Sequence, residues 1–510
     1  MTVRLFVFAS ILAILLLAGC GSQTPVTYAV KVTASGIDGP VVLRNNGSDT
    51  LTVPADGAYA FAKKLPDGAA YQVEVSERPF FRNCVLSGAA GTIQGKDAEV
   101  DLACAAKAWA GAQELGDPGT APGAWSLTAA AWPNGDAVVA WQQTQGGVYR
   151  LYARVFSGGS WGAAQKVAES SEGLGRPALA TGSAGRALLV WYEKLGGQFQ
   201  LRWSELAGGA WSAPASLTGP LNLAGSLVPP GLDMNASDEA VVVWPHDPGG
   251  GVRIYARRFS SGAWSSPVTV DDGTAQGIYP AVALAADGAA LAAWLRVDGG
   301  QFYVSTSRFQ SGAWQGEEVV SAAFGSQTLP SAALNGSGRG LVAWWQAAPG
   351  ETKVYAVTYD GGWSSPELLG SDASGNAAFP QAGMDDAGRG LVVWTQEQGG
   401  TRVVAYATYE AAWQTAAVLS PATGGDAERP SLALDPSGHA VALWAQATQV
   451  GDVVYAARFS QGSPDAPEVI TAPGVVQAVE PQAALAATGD AVALWWQDAG
   501  NKRIFASVLR

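Results

Sequence analysis

The chain has 510 residues, of which 48% are hydrophobic and 14% charged, and its 30 Lys and Arg face 43 Asp and Glu, a formal net charge of -13. That length builds more than one domain, and an acidic balance with no basic cluster in it repels phosphate backbones and excludes nucleic acid as a partner. Only 2 His and 3 Cys leave almost no material for a histidine-based metal site or a Ser/His/Asp machine.

Residues 1–19 read as a leader. Arg4 gives a positive start, Leu5 to Leu17 is an apolar run too short for a comfortable membrane span, and Leu17-Ala18-Gly19-Cys20 closes it. This ending resembles the bacterial lipobox. The resemblance implies a signal peptide cut before Cys20, a lipid thioether on the Cys20 sulfur with palmitate-type acylation, and residues 20–25 as a lipidated linker tethering the chain to a membrane. Gly21 and Ser22 stand where Asp retains inner-membrane lipoproteins, which implies the outer membrane. With Cys20 acylated, Cys84 and Cys104 remain as a pair 20 residues apart, expected to be oxidised outside the cytoplasm.

Residues 26–104 form a unit of their own. Alternating stretches at 28–33, 49–53, 59–62, 71–75 and 98–102 predict short half-buried strands, separated by turn signals such as Asn45-Asn46-Gly47 and Pro66-Asp67-Gly68. These make a small β-sandwich. The run Gly57-Ala58-Tyr59-Ala60-Phe61 and the following Leu65, Gly68 and Tyr71 to Val75 resemble the transthyretin-like or immunoglobulin-like modules of bacterial surface proteins. The expected disulfide ties the last strand to a loop holding Cys84, constraining the unfolded chain by about 3 kcal/mol.

From residue 105 to 510 the sequence repeats. Trp141, Trp191, Trp244, Trp294, Trp344, Trp394, Trp444 and Trp495 recur every 50 to 53 residues, with proline 14 residues before each except the first and glycine 6 before each except at Asp238. One unit reads as four strands, around 429–435, 440–444, 453–459 and 467–470. Turns such as Asn335-Gly336-Ser337-Gly338 join the first two, where Asx and glycine tolerate positive φ. A second series, Trp161, Trp211, Trp264, Trp314, Trp363 and Trp413, opens the fourth strands. Units too small to bury their own faces must stack and close into a β-propeller. The last unit ends at Arg510 after its third strand, while 107–115 matches the fourth-strand pattern, with Trp109 placed 52 residues before Trp161. The fold class is therefore all-β, an eight-bladed propeller closed by its N-terminal strand and preceded by a small sandwich. Both tryptophan series are expected to fill the wedges between blades.

The second-to-third and blade-to-blade connections share one face, and their length makes it the binding face. Two residues past each central Trp stand Gln143, Glu193, His246, Arg296, Gln346, Gln396, Gln446 and Gln497; immediately before the prolines stand Arg176, Tyr279, Leu329, Phe379, Arg429 and Glu480. A mouth so lined would hydrogen-bond hydroxyls and stack on a sugar or peptide, although the amides equally suit bonding to neighbouring backbone. The sequence points to a monomeric, non-catalytic, membrane-tethered propeller that binds a glycan or an envelope protein and needs no cofactor or metal. Two alternatives stay open. The repeat loosely resembles sialidase propellers, implying a glycoside hydrolase with an arginine cluster of Arg176, Arg296 and Arg429, though the Asp-box spacing differs. The eight-bladed lipoprotein of outer-membrane barrel assembly is similar in architecture, implying an envelope assembly scaffold, though its repeats are shorter.

Cys20→Ser should leave the leader uncut by the lipoprotein peptidase and abolish incorporation of labelled fatty acid, because only the thiol accepts the lipid. Label entering the Cys20→Ser chain would refute the anchor.

Overall fold

The structure, a computed structural model, describes residues 25–116, 127–183, 185–223, 228–348, 350–370, 375–471, 477–498 and 502–510. Cys20, the leader and Trp125 lie outside the described residues. Two compact units divide the chain, Met1–Ala106 and Lys107–Arg510, and the described secondary structure is all strand.

In the first unit two four-stranded sheets face each other. One runs Gly57–Ala60, Val30–Ser35, Ala98–Ala106, Arg82–Ser87, and the other Asp49–Val53, Val41–Asn45, Ala70–Glu77, Ala90–Thr92. Alternation places Val30, Val32, Val41, Leu43, Val100 and Leu102 in the shared core. The strand at Val41–Asn45 was not among those expected. Cys84 and Cys104 are bonded, but Cys84 sits in a strand rather than a loop: it stands directly opposite Cys104 in an antiparallel ladder.

In the second unit eight antiparallel sheets succeed one another around a ring. Blade 6 shows the order, Ala377–Met384 innermost, then Gly390–Gln398, Thr401–Tyr409 and the short outer strand Ala417–Val418. Neighbouring inner strands touch all the way round, and the last, Ala478–Leu485, returns to the first, Leu127–Ala131. All eight central tryptophans are at most 2% exposed. Several stack on the third strand of their own blade, as Trp444 does on Tyr455 with centroids 5.7 Å apart.

Two spacings in the repeat now have physical causes. The residue six before each central Trp has positive φ in every blade, from Gly135 at 94° to Gly489 at 79°, because it is the left-handed residue closing the tight turn between first and second strands. Asp238, at 62°, is the one side chain there. It is held by crossing to the preceding blade, where its carboxylate accepts from Ser183 N at 2.7 Å and pairs with Arg186 at 3.0 Å. The proline marks a bulge. In blades 2, 4, 6, 7 and 8 the inner strand places two residues, X-Pro, opposite the single central Trp, so the missing proline N–H falls where the ladder is already interrupted.

The second tryptophan series differs in part from the expectation. Trp161, Trp211, Trp264, Trp314, Trp363 and Trp413 do pack against the cores between neighbouring blades, but at their outer margin, half-buried rather than enclosed. They cover the end of the third strand in contacts such as Phe309–Trp314, edge to face at 5.6 Å. In blades 2, 3 and 5 a proline three residues on (Pro214, Pro267, Pro366) interrupts the outer strand. The serine beside the Trp takes over a ladder position, as when Ser265 Oγ accepts from Arg258 N at 3.1 Å.

Ring closure uses the same register. Trp109 pairs with Leu509 as Trp161 does with Phe156 and Trp264 with Phe259, and Gln113–Glu114 pairs with Ala506 and Phe505. Backbone bonds run from Ala110 N to Val508 O at 2.8 Å and from Leu115 N to Ile504 O at 2.8 Å. Two ion pairs clasp the seam, Lys107–Asp490 at 2.5 Å, with the lysine 1% exposed, and Arg503–Glu114 at 2.8 Å. Trp109 is half-buried, so Trp109→Ala should cost about 2 kcal/mol, below the range for a fully buried aromatic. It should lower the melting temperature as much as Trp161→Ala does. If Trp109→Ala melts like wild type and the fragment 119–510 is monomeric and equally stable, closure by the N-terminal strand is refuted.

Candidate functional site

At the bulges, X is Arg176, Tyr279, Phe379, Arg429 and Glu480, with φ of 44°, 56°, 55°, 49° and 54°. Left-handed backbone at a non-glycine residue costs on the order of 1–3 kcal/mol, and it turns each side chain out of the ladder at the start of its inner strand. Leu329 and Pro229 hold the same place in blades 5 and 3 without positive φ, which proline cannot adopt.

These residues meet at the channel mouth. Arg429 Nη1 donates to Glu480 Oε1 at 2.9 Å, and its guanidinium lies over the Phe379 ring at 5.2 Å. The Arg429 backbone N–H donates to Thr395 Oγ1 of the previous blade at 3.1 Å. Glu480 also accepts from Trp496 Nε1 at 3.3 Å. Across the ring, burial pushes the Arg176 guanidinium below its ordinary value, opposed by the charges of Glu480 and then Tyr279. Arg176, Tyr279 and Glu480, from blades 2, 4 and 8, therefore lie within electrostatic reach of one another. Tyr279 hydroxyl donates to Gln327 Oε1 at 3.0 Å.

The amides two residues past the central Trp have a structural task instead. Each takes the indole N–H beside it: Trp141 to Gln143 at 3.0 Å, Trp344 to Gln346 at 2.8 Å, Trp394 to Gln396 at 3.3 Å, Trp444 to Gln446 at 3.2 Å and Trp495 to Gln497 at 3.4 Å. Gln446 Nε2 then donates to Pro421 O at 3.1 Å in the blade-to-blade loop. An indole N–H buried without an acceptor would be costly, and Gln143, Gln396, Gln446 and Gln497 are at most 7% exposed. The expected ring of ligand-facing amides is thus mostly a ring of buried brackets.

Glu193 is buried beside Arg202, 3.3 Å away, with its carboxyl raised by burial. His246 accepts from Asn222 N at 3.3 Å and is lowered by burial. Arg296 is engaged in its own blade by Glu317 and Asp298, each at 3.0 Å, and by Thr274 at 3.0 Å. Its guanidinium is thus already paired with acids beside it rather than left open for a ligand. Among the described residues no group of three or more His, Cys, Asp or Glu is placed to hold a metal ion.

Sequence reasoning missed two parts of this face. Three hollows adjoin the mouth: about 130 Å³ between Phe379, Arg429 and Glu480, about 510 Å³ between blades 7 and 8 reaching Asp452 and Trp496, and about 360 Å³ between blades 6 and 7 reaching Glu397. Arg402, Asp426 and Glu428 stand between the two larger ones. Inside the channel, Asp233 on the inner strand Gly231–Met234 accepts from Leu284 N at 2.8 Å in the next blade. Burial pushes its carboxyl up to about 6 against the opposing bonds from Leu284 and Met234.

No protein-family model and no curated protein matches the chain. Among solved structures it is similar to a polysaccharide lyase described as an ulvan lyase of a new family, with 11% identity, 79% of this chain and 96% of that one covered, and a TM-score of 0.41. A sialidase of Streptococcus pneumoniae gives 11% identity, 74% and 83% coverage and a TM-score of 0.37. A protein of unknown function from Dyadobacter fermentans gives 14%, 58%, 98% and 0.36. At TM-scores this low, these likenesses assign neither a family nor an activity.

Asp233 makes stability depend on pH in a defined direction. Folded, the carboxyl keeps its proton up to about 6; unfolded, it releases it near the ordinary 3.8. Between those values the folded state binds more protons, so stability falls as pH rises through the window, by about 3 kcal/mol at most. Melting scans from pH 4 to 7 should show this slope in the wild type and its loss in Asp233→Asn. Equal slopes would show that Asp233 titrates normally.

Proposed function

We propose that the chain is a membrane-tethered binding protein whose propeller holds a glycan at the channel mouth. The observation that carries this reading is the choice of residue at left-handed positions. Six residues before the central Trp, seven of eight blades meet positive φ with glycine; at the X-Pro bulge, five blades meet it with Arg, Tyr, Phe, Arg and Glu. Glycine would relieve the strain at both places, so the side chains at the mouth are retained for what they touch. Guanidinium, carboxylate and aromatic faces together supply donors, acceptors and a stacking surface for a polyhydroxylated ligand. Tethering through Cys20 at the outer membrane, with the sandwich as spacer and the propeller monomeric, completes the proposal. Hydrolysis of the sialidase kind finds less support, because Arg296 is already paired with Asp298 and Glu317 of its own blade.

Phe379→Gly and Tyr279→Gly should match or exceed the wild type in thermal stability while losing at least tenfold in affinity for whichever glycan a glycan array identifies. Unchanged affinity in both variants would overturn the reading. Turnover of aryl glycosides or sialosides that vanishes in Arg176→Ala or Arg429→Ala would replace binding with catalysis.

A further inference from the structure

Eight residues past each central Trp, at the start of the third strand, blades 1 to 4 carry Tyr149, Phe199, Val252 and Phe302, whereas blades 6 to 8 carry Arg402, Asp452 and Arg503. In blades 2 and 4 this position is plugged. Phe199 bridges to Leu221, and Phe302 bridges to and stacks on Phe324 at 6.4 Å, with Leu221 and Phe324 themselves buried. In blades 6 and 7 the plug is missing, and the hollows of about 360 and 510 Å³ open there. Both run into the mouth, sharing Phe379 or Arg429 and Glu480 with its own small hollow.

Charges along this trough are ordered before any ligand arrives. Arg402 pairs with Asp426 at 2.7 Å and with Glu428 at 2.5 Å, and its backbone N–H also donates to Asp426 at 2.9 Å. These bonds hold the Asp426 carboxyl below its usual range and Arg402 above its own, so the pair stays ionised. Arg402, Asp426 and Glu428 nevertheless remain 48%, 41% and 38% exposed at the side chain.

Resting on the mouth reading above, we infer that the trough over blades 6 to 8 binds a linear, uncharged oligosaccharide that continues outward from the mouth. Five carboxylates, Glu397, Asp426, Glu428, Asp452 and Glu480, face two guanidiniums, Arg402 and Arg429, which disfavours a polyanion. Aliphatic wall residues are only alanines and Val479, so a peptide finds no packed pocket for an apolar anchor. A sugar hydroxyl both donates and accepts, which suits alternating carboxylate and guanidinium groups; Phe379, half-buried, offers a ring at one end. Hollows of this size hold more than one sugar unit, since pockets of about 300–1,000 Å³ enclose drug-sized ligands.

The test is calorimetric titration of the full chain with cello-, malto- and xylo-oligosaccharides of two to six units, and with tetragalacturonate and tetralysine as charged probes. Affinity for one neutral series should climb at least tenfold from disaccharide to tetrasaccharide and change little in 0.5 M salt, about what one or two added charge-assisted hydrogen bonds give. Arg402→Ala and Asp452→Asn, with unaltered melting, should cut tetrasaccharide affinity more than disaccharide affinity. Tighter binding of tetragalacturonate or tetralysine than of any neutral chain, or no neutral binding, overturns the proposal. Length-independent affinity that Phe379→Gly abolishes leaves the mouth and removes the trough; a length gain lost in Arg402→Ala but untouched by Phe379→Gly leaves the trough and removes the mouth.

Discussion

Each blade depends on one contact, the indole of its central tryptophan buried between sheets, which in five of the eight blades faces an interruption in the inner strand. An indole N–H left unsatisfied at that depth is costly, and in five blades the glutamine two residues on takes it, with the amide nitrogen free to reach loop backbone as in Gln446; the indoles of Trp191 and Trp244 bear that cost. Opposite the indole the inner strand loses one ladder position, which is where proline can stand without wasting a hydrogen bond. The same interruption forces the residue before the proline out of the sheet. In the five blades so interrupted, core packing and the presentation of side chains at the mouth are therefore one geometric event.

That coupling explains how a nearly symmetric scaffold carries an asymmetric site. The bulge appears wherever the pairing requires it, but what it presents is set by one residue per blade, and blade 3, with Pro229, presents none that can turn left-handed. Two faces of the disc use the same backbone conformation in opposite ways. On one, glycine closes turns that are tied to the next blade, as Asn335 Nδ2 is to Asp385 O at 2.8 Å. On the other, Arg429 and Glu480 accept the strain and are held by each other, by Phe379 and by Trp496.

The architecture was legible because the periodic residues answer needs that recur from blade to blade: glycine for left-handed φ, proline for a ladder bond missing in five blades, tryptophan for the interior. Closure was legible too, since Trp109 obeys the fourth-strand pattern although its partner Leu509 lies at the other end of the chain. The site was less so. Arg176, Tyr279, Phe379 and Arg429 were found by their place before proline, but Arg296, chosen by its place after tryptophan, is captured by Glu317 and Asp298 within its blade. One-dimensional spacing gives the face and the depth of a residue, and it is silent on neighbours such as these that outbid a ligand. It also made glutamine look exposed where the indole beside it keeps it buried. Asp233 escaped notice because its raised carboxyl comes from packing of inner strands 51 residues apart, which no local motif records.

The remaining signal was present in the sequence as a departure from the repeat. Substitutions that only drift should scatter round a ring whose blades are equivalent in backbone. Instead the aromatic or aliphatic residue eight past the central Trp gives way to charge in three consecutive blades, 6, 7 and 8. Those are also the blades whose left-handed residues, Phe379, Arg429 and Glu480, contact one another. An apolar plug lost without compensation would leave a cavity of the kind that destabilises a fold. Here the loss is accompanied by ion pairs that order the walls and leave them open to solvent. Two positions that are independent in sequence change together only where they share a wall, and a shared wall is what a bound ligand, unlike the fold, would require.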